Sequence, residues 1–355
     1  MKKTTGSSKM LRRTLLAVSI VLGLILAALL GGTVYAEYLL DQVNYVDPDA
    51  VMPTLSQEEL DAFHNETESM DPDFTGPELN EEDVVLETVS QVEIDSNNVV
   101  NILLIGVDRR ANETARSDSM ILCTFNKYSN TITLTSFMRD MYVKIPGYRS
   151  NRINASYFLG GMNLLDKTIN YNFGISADGI VEIDFANFEK LIDLLGGIEL
   201  ELTANEANYI NRESGSKLKE GVQVLAGEQA LWYSRFRKDS KGDFGRTNRQ
   251  RIVLSTLLNE YKNLSLTELV GMMDDILPMV TTNMSKDEIF DYVSDLFPML
   301  AGAEIVTQRI PEEGTYKQAR INDMAVLLPE IAKNADILKQ TMHVPETDGF
   351  TGGVG

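Results

Sequence analysis

The strongest constraint on this chain is an uncharged run of 21 residues, Leu15 to Tyr35, with bases before it and acids after it. At about 1.5 Å rise per residue, such a run crosses a bilayer core of about 30 Å as one helix. Lys2, Lys3, Lys9, Arg12 and Arg13 precede it, while residues 37–95 carry 18 Asp and Glu and no Lys or Arg. The positive-inside rule then places residues 1–14 in the cytoplasm, residues 15–36 in the membrane and the rest of the chain outside. A cleaved signal peptide is the competing reading, with Val34-Tyr35-Ala36 as the cleavage site. The apolar run exceeds the roughly 7–15 residues of such peptides, which favours an uncleaved signal-anchor. Both readings put the folded part across the membrane.

The chain has 355 residues and a net charge of −20, and most of that charge belongs to residues 37–95. This segment also holds Pro48, Pro53, Pro72 and Pro77 and reads as an acidic, solvated extracellular linker. One folded domain is expected over residues 96–345, followed by a disordered tail at 346–355. That domain is mildly acidic, so binding nucleic acid through a general basic field is excluded. The lone Cys123 sits in an apolar run, which leaves a buried thiol and no disulfide framework. His64 and His343 are the only histidines, so Ser-His and Cys-His mechanisms and HExxH zinc sites lack their parts.

The periodicity reads as α/β. Val99–Ile105 is a buried strand, and Ser119–Phe125 and Thr131–Phe137 are joined by a turn at residues 126–130. That hairpin brings Asp118, just before its first strand, and Arg139, just after its second, to one edge of the sheet. Asp108 ends the preceding strand and reaches the same edge. Asp108, Arg110, Arg116, Asp118, Arg139 and Asp140 then form a cluster. Two carboxylates beside phosphate-binding arginines are a common way to hold Mg²⁺ on a phosphorylated substrate. A network of structural salt bridges is the alternative. Downstream, the pattern predicts helices at Gly161–Tyr171 and Phe185–Leu195 and strands at Gly179–Ile183 and Ile198–Leu202. Residues 160–200 hold more apolar side chains than one covered face needs. They serve either the core or a lipid-lined pocket. Further helices are expected at Leu264–Val280, Lys286–Leu300 and Asn322–Leu338, with a strand at Glu304–Arg309.

The basic residues of the domain concentrate in Trp232 to Arg251, WYSRFRKDSKGDFGRTNRQR. Arg235 and Arg237 are two apart, which on a strand puts them on one face. Gly242, Asp243 and Gly245 turn the chain into a helix expected to begin near Arg246. Along it Arg246, Gln250, Val253 or Leu254, and Leu257 make one inward stripe. An arginine heading an apolar stripe must look into a polar cleft, because burying an unpaired guanidinium is costly. The helix N-terminus adds backbone donors there. The stretch reads as a trap for a multiply charged anion, phosphate or pyrophosphate, with a solvated basic face as the bland alternative.

Six ordered motifs resemble the LytR-CpsA-Psr family of bacterial cell-envelope proteins. They are NILLIGVDRR from Asn101, RSDSMILCTFN from Arg116, SFMRDMYVKIPG from Ser136, RINASYFLGG from Arg152, DFANFEKLIDLLGGIEL from Asp184, and GEQALWYSRFRK with DFGRTNRQR between Gly227 and Arg251. Ser119 stands where the family commonly has threonine, and Phe137-Met138 where it commonly has Ile-Pro. The resemblance implies a central mixed β-sheet flanked by helices. It implies a glycopolymer–peptidoglycan phosphotransferase that takes a teichoic acid, capsular or similar chain from a polyprenyl-pyrophosphate carrier, in a Gram-positive-type envelope. It also implies site roles. Asp108 and Asp118 would hold Mg²⁺ or Mn²⁺. Arg116, Arg139, Arg235, Arg237, Arg246 and Gln250 would grip the pyrophosphate. Asp108, Arg139, Arg237 and Asp243 would form the catalytic set, Asp243 by orienting an arginine or accepting a proton. A polyprenyl-pyrophosphate hydrolase and a non-catalytic envelope regulator remain as alternatives.

Overall fold

A computed structural model describes residues 37–48, 76–108, 116–240, 242–262 and 266–343. The expected membrane helix, Arg110 and the tail at 346–355 lie outside the described residues, and among those described no helix is long and apolar enough to cross a membrane.

The strands in chain order are β1 (Asn44–Tyr45), β2 (Glu78–Leu79), β3 (Val99–Asp108), β4 (Arg116–Asn126), β5 (Thr131–Phe137), β6 (Tyr142–Val143) and β7 (Asn151–Arg152). After helix α1 (Ile153–Phe173) come β8 (Gly179–Asp184), α2 (Phe185–Leu194), β9 (Ile198–Leu202), α3 (Ala204–Ser214), β10 (Gly221–Leu225), α4 (Gly227–Arg235), α5 (Gly242–Tyr261) and α6 (Leu266–Ile276). The chain closes with β11 (Val280–Thr282), α7 (Lys286–Leu300), β12 (Glu304–Ile310), β13 (Tyr316–Ile321), β14 (Met324–Pro329) and α8 (Ile331–Thr341).

Seven strands make the central sheet, in the order β1-β11-β8-β3-β4-β5-β12. It is mixed: β3 runs antiparallel to β4 and parallel to β8, and β12 is parallel to β5. Period-2 alternation gives the sheet two apolar faces. Leu103, Ile105, Met120 and Leu122 point to one face and pack on α1 and α8, whereas Ile102, Ile121, Cys123 and Leu134 point to the other and meet α5 and α7. A third cluster joins β9 and β10 to α2, α3, α4 and α5, through Ile192, Leu200, Ile210, Tyr233 and Val253. The expected mixed sheet with flanking helices is the fold observed.

Local departures have local causes. Asn322–Leu338 is not one helix. Asn322 and Asp323 both adopt positive φ, 50° and 63°, and close the β13–β14 hairpin before α8 begins. Two consecutive left-handed residues are the signature of a tight hairpin turn, and Asn and Asp tolerate it best after glycine. The expected helix at Leu264–Val280 stops at Ile276, and Val280–Thr282 pairs with β8 instead. The acidic segment is also more than a spacer where it is described. β1 pairs with β11 and β2 with β13, and Val89, Val92 and Ile94 lie against the main core. Gly174, at φ 73°, caps α1 where this segment crosses; a side chain there would collide with the Ser90 carbonyl.

Candidate active site

The site forms where the strand ends, α4 and the start of α5 converge. The β3–β4 pairing sets Asp108 opposite Arg116 at the end of the ladder, beyond a register shift at Gly106/Val107. Asp118 lies inside β4 rather than before it. The β4–β5 hairpin returns the chain so that Arg139, two residues past β5, reaches it: Arg139 Nη1 donates to Asp118 Oδ1 at 3.0 Å. The juxtaposition expected from the hairpin is therefore present. Arg116 contributes its backbone to this end, and its side chain lies outside the described part.

Arg235 and Arg237 arrive differently from the strand expected. Gln229 accepts from the Ala226 N–H at the head of α4, and the helix runs through Arg235 before Phe236 turns extended. Gly227 is where α4 touches α2, so close that a Cβ would strike the Glu189 carbonyl. Arg235 Nη2 lies 3.8 Å from Asp108 Oδ2, and Arg237 Nε lies 3.5 Å from Asp243 Oδ1. The two arginines thus meet different carboxylates of one cluster without sharing a strand face.

α5 begins at Gly242, four residues earlier than expected, so Arg246 sits in its second turn. Arg246 is 3% exposed and bridges two carboxylates, Asp243 Oδ1 at 2.9 Å and Asp118 Oδ1 at 3.5 Å. Arg139 Nε lies 3.7 Å from Asp243 Oδ1 and 3.8 Å from Asp140 Oδ2, and Arg152 reaches the same Asp140 at 3.5 Å. Asp243 therefore lies among three guanidiniums. Burial alone would raise its carboxyl, but Arg246, Arg139 and Arg237 more than offset this and hold it below the ordinary carboxylate value. Asp118 is depressed in the same way, burial opposed chiefly by Arg246 and Arg139. Asp140 goes the other way: burial raises it, and Arg139 offsets that only in part. Burial also brings the Arg246 guanidinium down to about 10, despite Asp243.

Beside this cluster an apolar pocket of about 240 Å³ opens between the sheet and α2, α4 and α5. Its walls include Leu104, Ile121, Val181, Phe188, Leu231 and Leu254. Gln250, Val253, Leu254 and Leu257 all line it, as the α5 stripe predicts. The pocket and the charges are contiguous along the chain. Gly106 and Ser119 of the wall flank Asp108 and Asp118, Ser234 precedes Arg235, and Gln250 follows Arg246 by one turn. The apolar surplus at residues 160–200 divides between two places. Val181, Phe188 and Leu191 line the pocket, whereas Met162, Leu165 and Ile169 of α1 lie in the core on the other sheet face. Phe137 and Met138 are also in that core and do not line the pocket.

Arg152, Arg249 and most of the pocket wall were not singled out as site residues from sequence. A motif signal existed for Arg152, in RINASY, but its partner Asp140 is only apparent in space. For a divalent metal, Asp108 and Asp118 offer hard oxygen donors of the right kind, with Asp118 Oδ1 already engaged by guanidiniums. Among the described residues no three carboxylate, His or Cys side chains gather to hold an ion by themselves.

The LytR_cpsA_psr family matches residues 66–340. Over 330 residues the chain is 29% identical to the polyisoprenyl-teichoic acid–peptidoglycan teichoic acid transferase TagU of Bacillus cereus, covering 92% of this chain and 97% of that protein. It is 32% identical to the regulatory protein MsrR of Staphylococcus aureus over 238 residues, 67% of this chain and 72% of that one. A solved structure of TagT bound to LI-WTA superposes with a TM-score of 0.59 at 25% identity, over 74% of this chain and all of that one. A mixed sheet, a carboxylate–arginine cluster at its edge and a sequence match across most of the chain agree: this protein belongs to the LytR-CpsA-Psr family.

Proposed function

We propose that this chain is a phosphotransferase that moves an anionic glycopolymer from a polyprenyl-pyrophosphate carrier to peptidoglycan, forming a phosphodiester. The observation that carries this reading is the adjacency of a cluster of buried and half-buried arginines to an apolar pocket of about 240 Å³. A lipid pyrophosphate has those two parts. The prenyl chain enters the pocket; the pyrophosphate lies on Arg139, Arg235, Arg237 and Arg246, with Gln250 at the boundary between them.

The chemistry follows from charge. An acceptor hydroxyl attacks the sugar-bearing phosphorus and gives up its proton to solvent, the bond to the bridging oxygen breaks, and polyprenyl phosphate leaves with the negative charge. Fixed guanidiniums stabilise that developing charge without reorganising, which is the largest service such a site provides. Arg139 and Arg237 are the catalytic cations in this reading. Asp243 keeps its proton off at neutral pH because three arginines face it, so it acts by aiming Arg237 and Arg246 and is a weak base. Asp108 and Asp118 are the residues that would hold Mg²⁺ or Mn²⁺, which when bound supplies further neutralisation of the phosphate oxygens. No covalent intermediate on the protein is required. The membrane anchor expected at residues 15–36 would keep the pocket near the carrier lipid.

The test uses the full-length chain in liposomes with a lipid-pyrophosphate-linked oligosaccharide, Mg²⁺ and peptidoglycan oligomers, read by mass spectrometry. A glycan phosphodiester on the acceptor, lost in Asp108→Ala, supports the transferase. Free glycan phosphate without an adduct supports a hydrolase, and tight lipid binding without turnover refutes both enzymatic readings.

A further inference from the structure

Arg237 carries a proposed catalytic charge, yet it stands outside any helix or strand, on the connection between α4 and α5, and its side chain is 43% exposed. A cation held so loosely needs a support that fixes its backbone. The structure supplies one from behind. Arg249, 8% exposed on α5, sends Nη1 to the Phe236 carbonyl at 3.2 Å and Nη2 to the Asp239 carboxylate. Its Nε donates to Glu206 Oε1 at 2.5 Å, and its guanidinium stacks on the Phe236 ring 4.6 Å from the centroid.

Phe236 and Asp239 bracket Arg237. One buried guanidinium thus grips the chain on both sides of the exposed one. Asp239 extends the hold, because its carbonyl accepts from the Gly242 N–H at 3.2 Å, where α5 begins and leads directly to Asp243. Glu206 anchors the other end. It closes a capping box with Thr203 at the head of α3 and is 5% exposed.

We propose that Arg249, with Glu206 and Asp239, is a positioning device that holds the backbone of Arg237 and the start of α5 at Asp243, so that Arg237 faces the pyrophosphate, and that Arg249 itself touches no substrate. This rests on the phosphotransferase reading only in the role given to Arg237. The alternative is that Arg249 merely cements α3 to α5, in which case its loss lowers stability without acting through Arg237.

The two are separated by a double-mutant cycle. Arg249→Ala leaves Glu206 buried without its partner and risks unfolding, so Asp239→Asn is the variant of choice. Asp239 lines a solvent-open cleft of about 330 Å³, where an amide can be hydrated. Inorganic pyrophosphate is titrated calorimetrically into the full-length wild type, Arg237→Ala, Asp239→Asn and the double variant, with melting temperature as the control for folding. Asp239→Asn should weaken binding about tenfold, as Arg237→Ala does, and the double variant should bind no more weakly than Arg237→Ala alone. The kcat for glycan transfer should fall in the same non-additive pattern. A double variant that loses the product of the two effects, about a hundredfold, overturns the proposal. So does wild-type affinity in Asp239→Asn. If Asp239→Asn does not fold, Arg249→Lys takes its place in the cycle, since lysine keeps the charge but cannot span the three acceptors. Wild type that binds pyrophosphate and transfers nothing refutes the enzymatic reading alone, while the binding cycle still decides the clamp.

Discussion

Replacing Asp243 by asparagine tests the electrostatic logic of the site most directly. Its Oδ1 lies 2.9 Å from Arg246, 3.5 Å from Arg237 and 3.7 Å from Arg139. Removing one partner of a buried ion pair costs about 3–5 kcal/mol, because the other charge stays buried and uncompensated. Arg246 and Arg139 retain Asp118, and Arg237 is 43% exposed and screened, so the low end applies, about 3 kcal/mol. For a domain of this size that is a fall of about 6–12 °C in melting temperature. The pH dependence has a definite sign. The folded carboxyl lies below its ordinary value, so its stabilisation is present above the unfolded pKa near 4 and is lost as pH falls through the folded value. The variant's deficit at pH 7 should therefore shrink toward pH 3. Ligand binding should fall together with stability, since Arg237 and Arg246 lose the carboxylate that aims them. At a hundred times its Kd, inorganic pyrophosphate contributes about 2.7 kcal/mol to whichever form binds it, and the variant should reach that point only at higher concentration. Scanning calorimetry at both pH values, with and without pyrophosphate, reads all of this. A melting temperature within 2 °C of wild type at pH 7, taken as about 1 kcal/mol or less, refutes the role of Asp243 as counter-ion.

Three further outcomes are expected. The double substitution Arg235→Ala with Arg237→Ala should abolish transfer while lowering stability by about 1 kcal/mol or less, because both side chains are partly exposed, 33% and 43%; thermal melts beside the transfer assay check it. Leu254→Trp adds bulk to the wall of the apolar pocket and should leave inorganic pyrophosphate binding unchanged while weakening a long-chain prenyl pyrophosphate at least about tenfold, measured by titration of both ligands. Burial pushes the Cys123 thiol up to about 12, so at pH 8 native protein should resist iodoacetamide and take up one adduct only in denaturant, as mass spectrometry would show.

Much of this site is readable in one dimension because its geometry is local. A hairpin with a short turn must bring residues near its two open ends together, which is why the sequence alone pairs Asp118 with Arg139. A 3.6-residue period must put Gln250, Leu254 and Leu257 on one wall. Patterning of that kind also assigned α/β, the β3 to β5 strands, α2 and α7. It could not tell which sheet face a buried helix covers. Alternating strands are apolar on both sides here, so α1 and α2 look alike in composition although only α2 walls the pocket.

What only the tertiary structure decided is the company each charge keeps. Arg235, Arg237, Arg246, Arg249 and Arg251 read as one basic run. In space Arg235 meets Asp108, Arg237 and Arg246 meet Asp243, and Arg249 turns away to Glu206 and Asp239. Helix phase and the turn at Gly242 separate them, and their partners come from segments up to 128 residues distant. Sequence by itself determined that an α/β domain gathers arginines and carboxylates at one strand edge, because periodicity and charge act over a few residues. Which arginine grips substrate and which holds the scaffold depends on long-range packing, where desolvation makes every buried charge choose a specific partner.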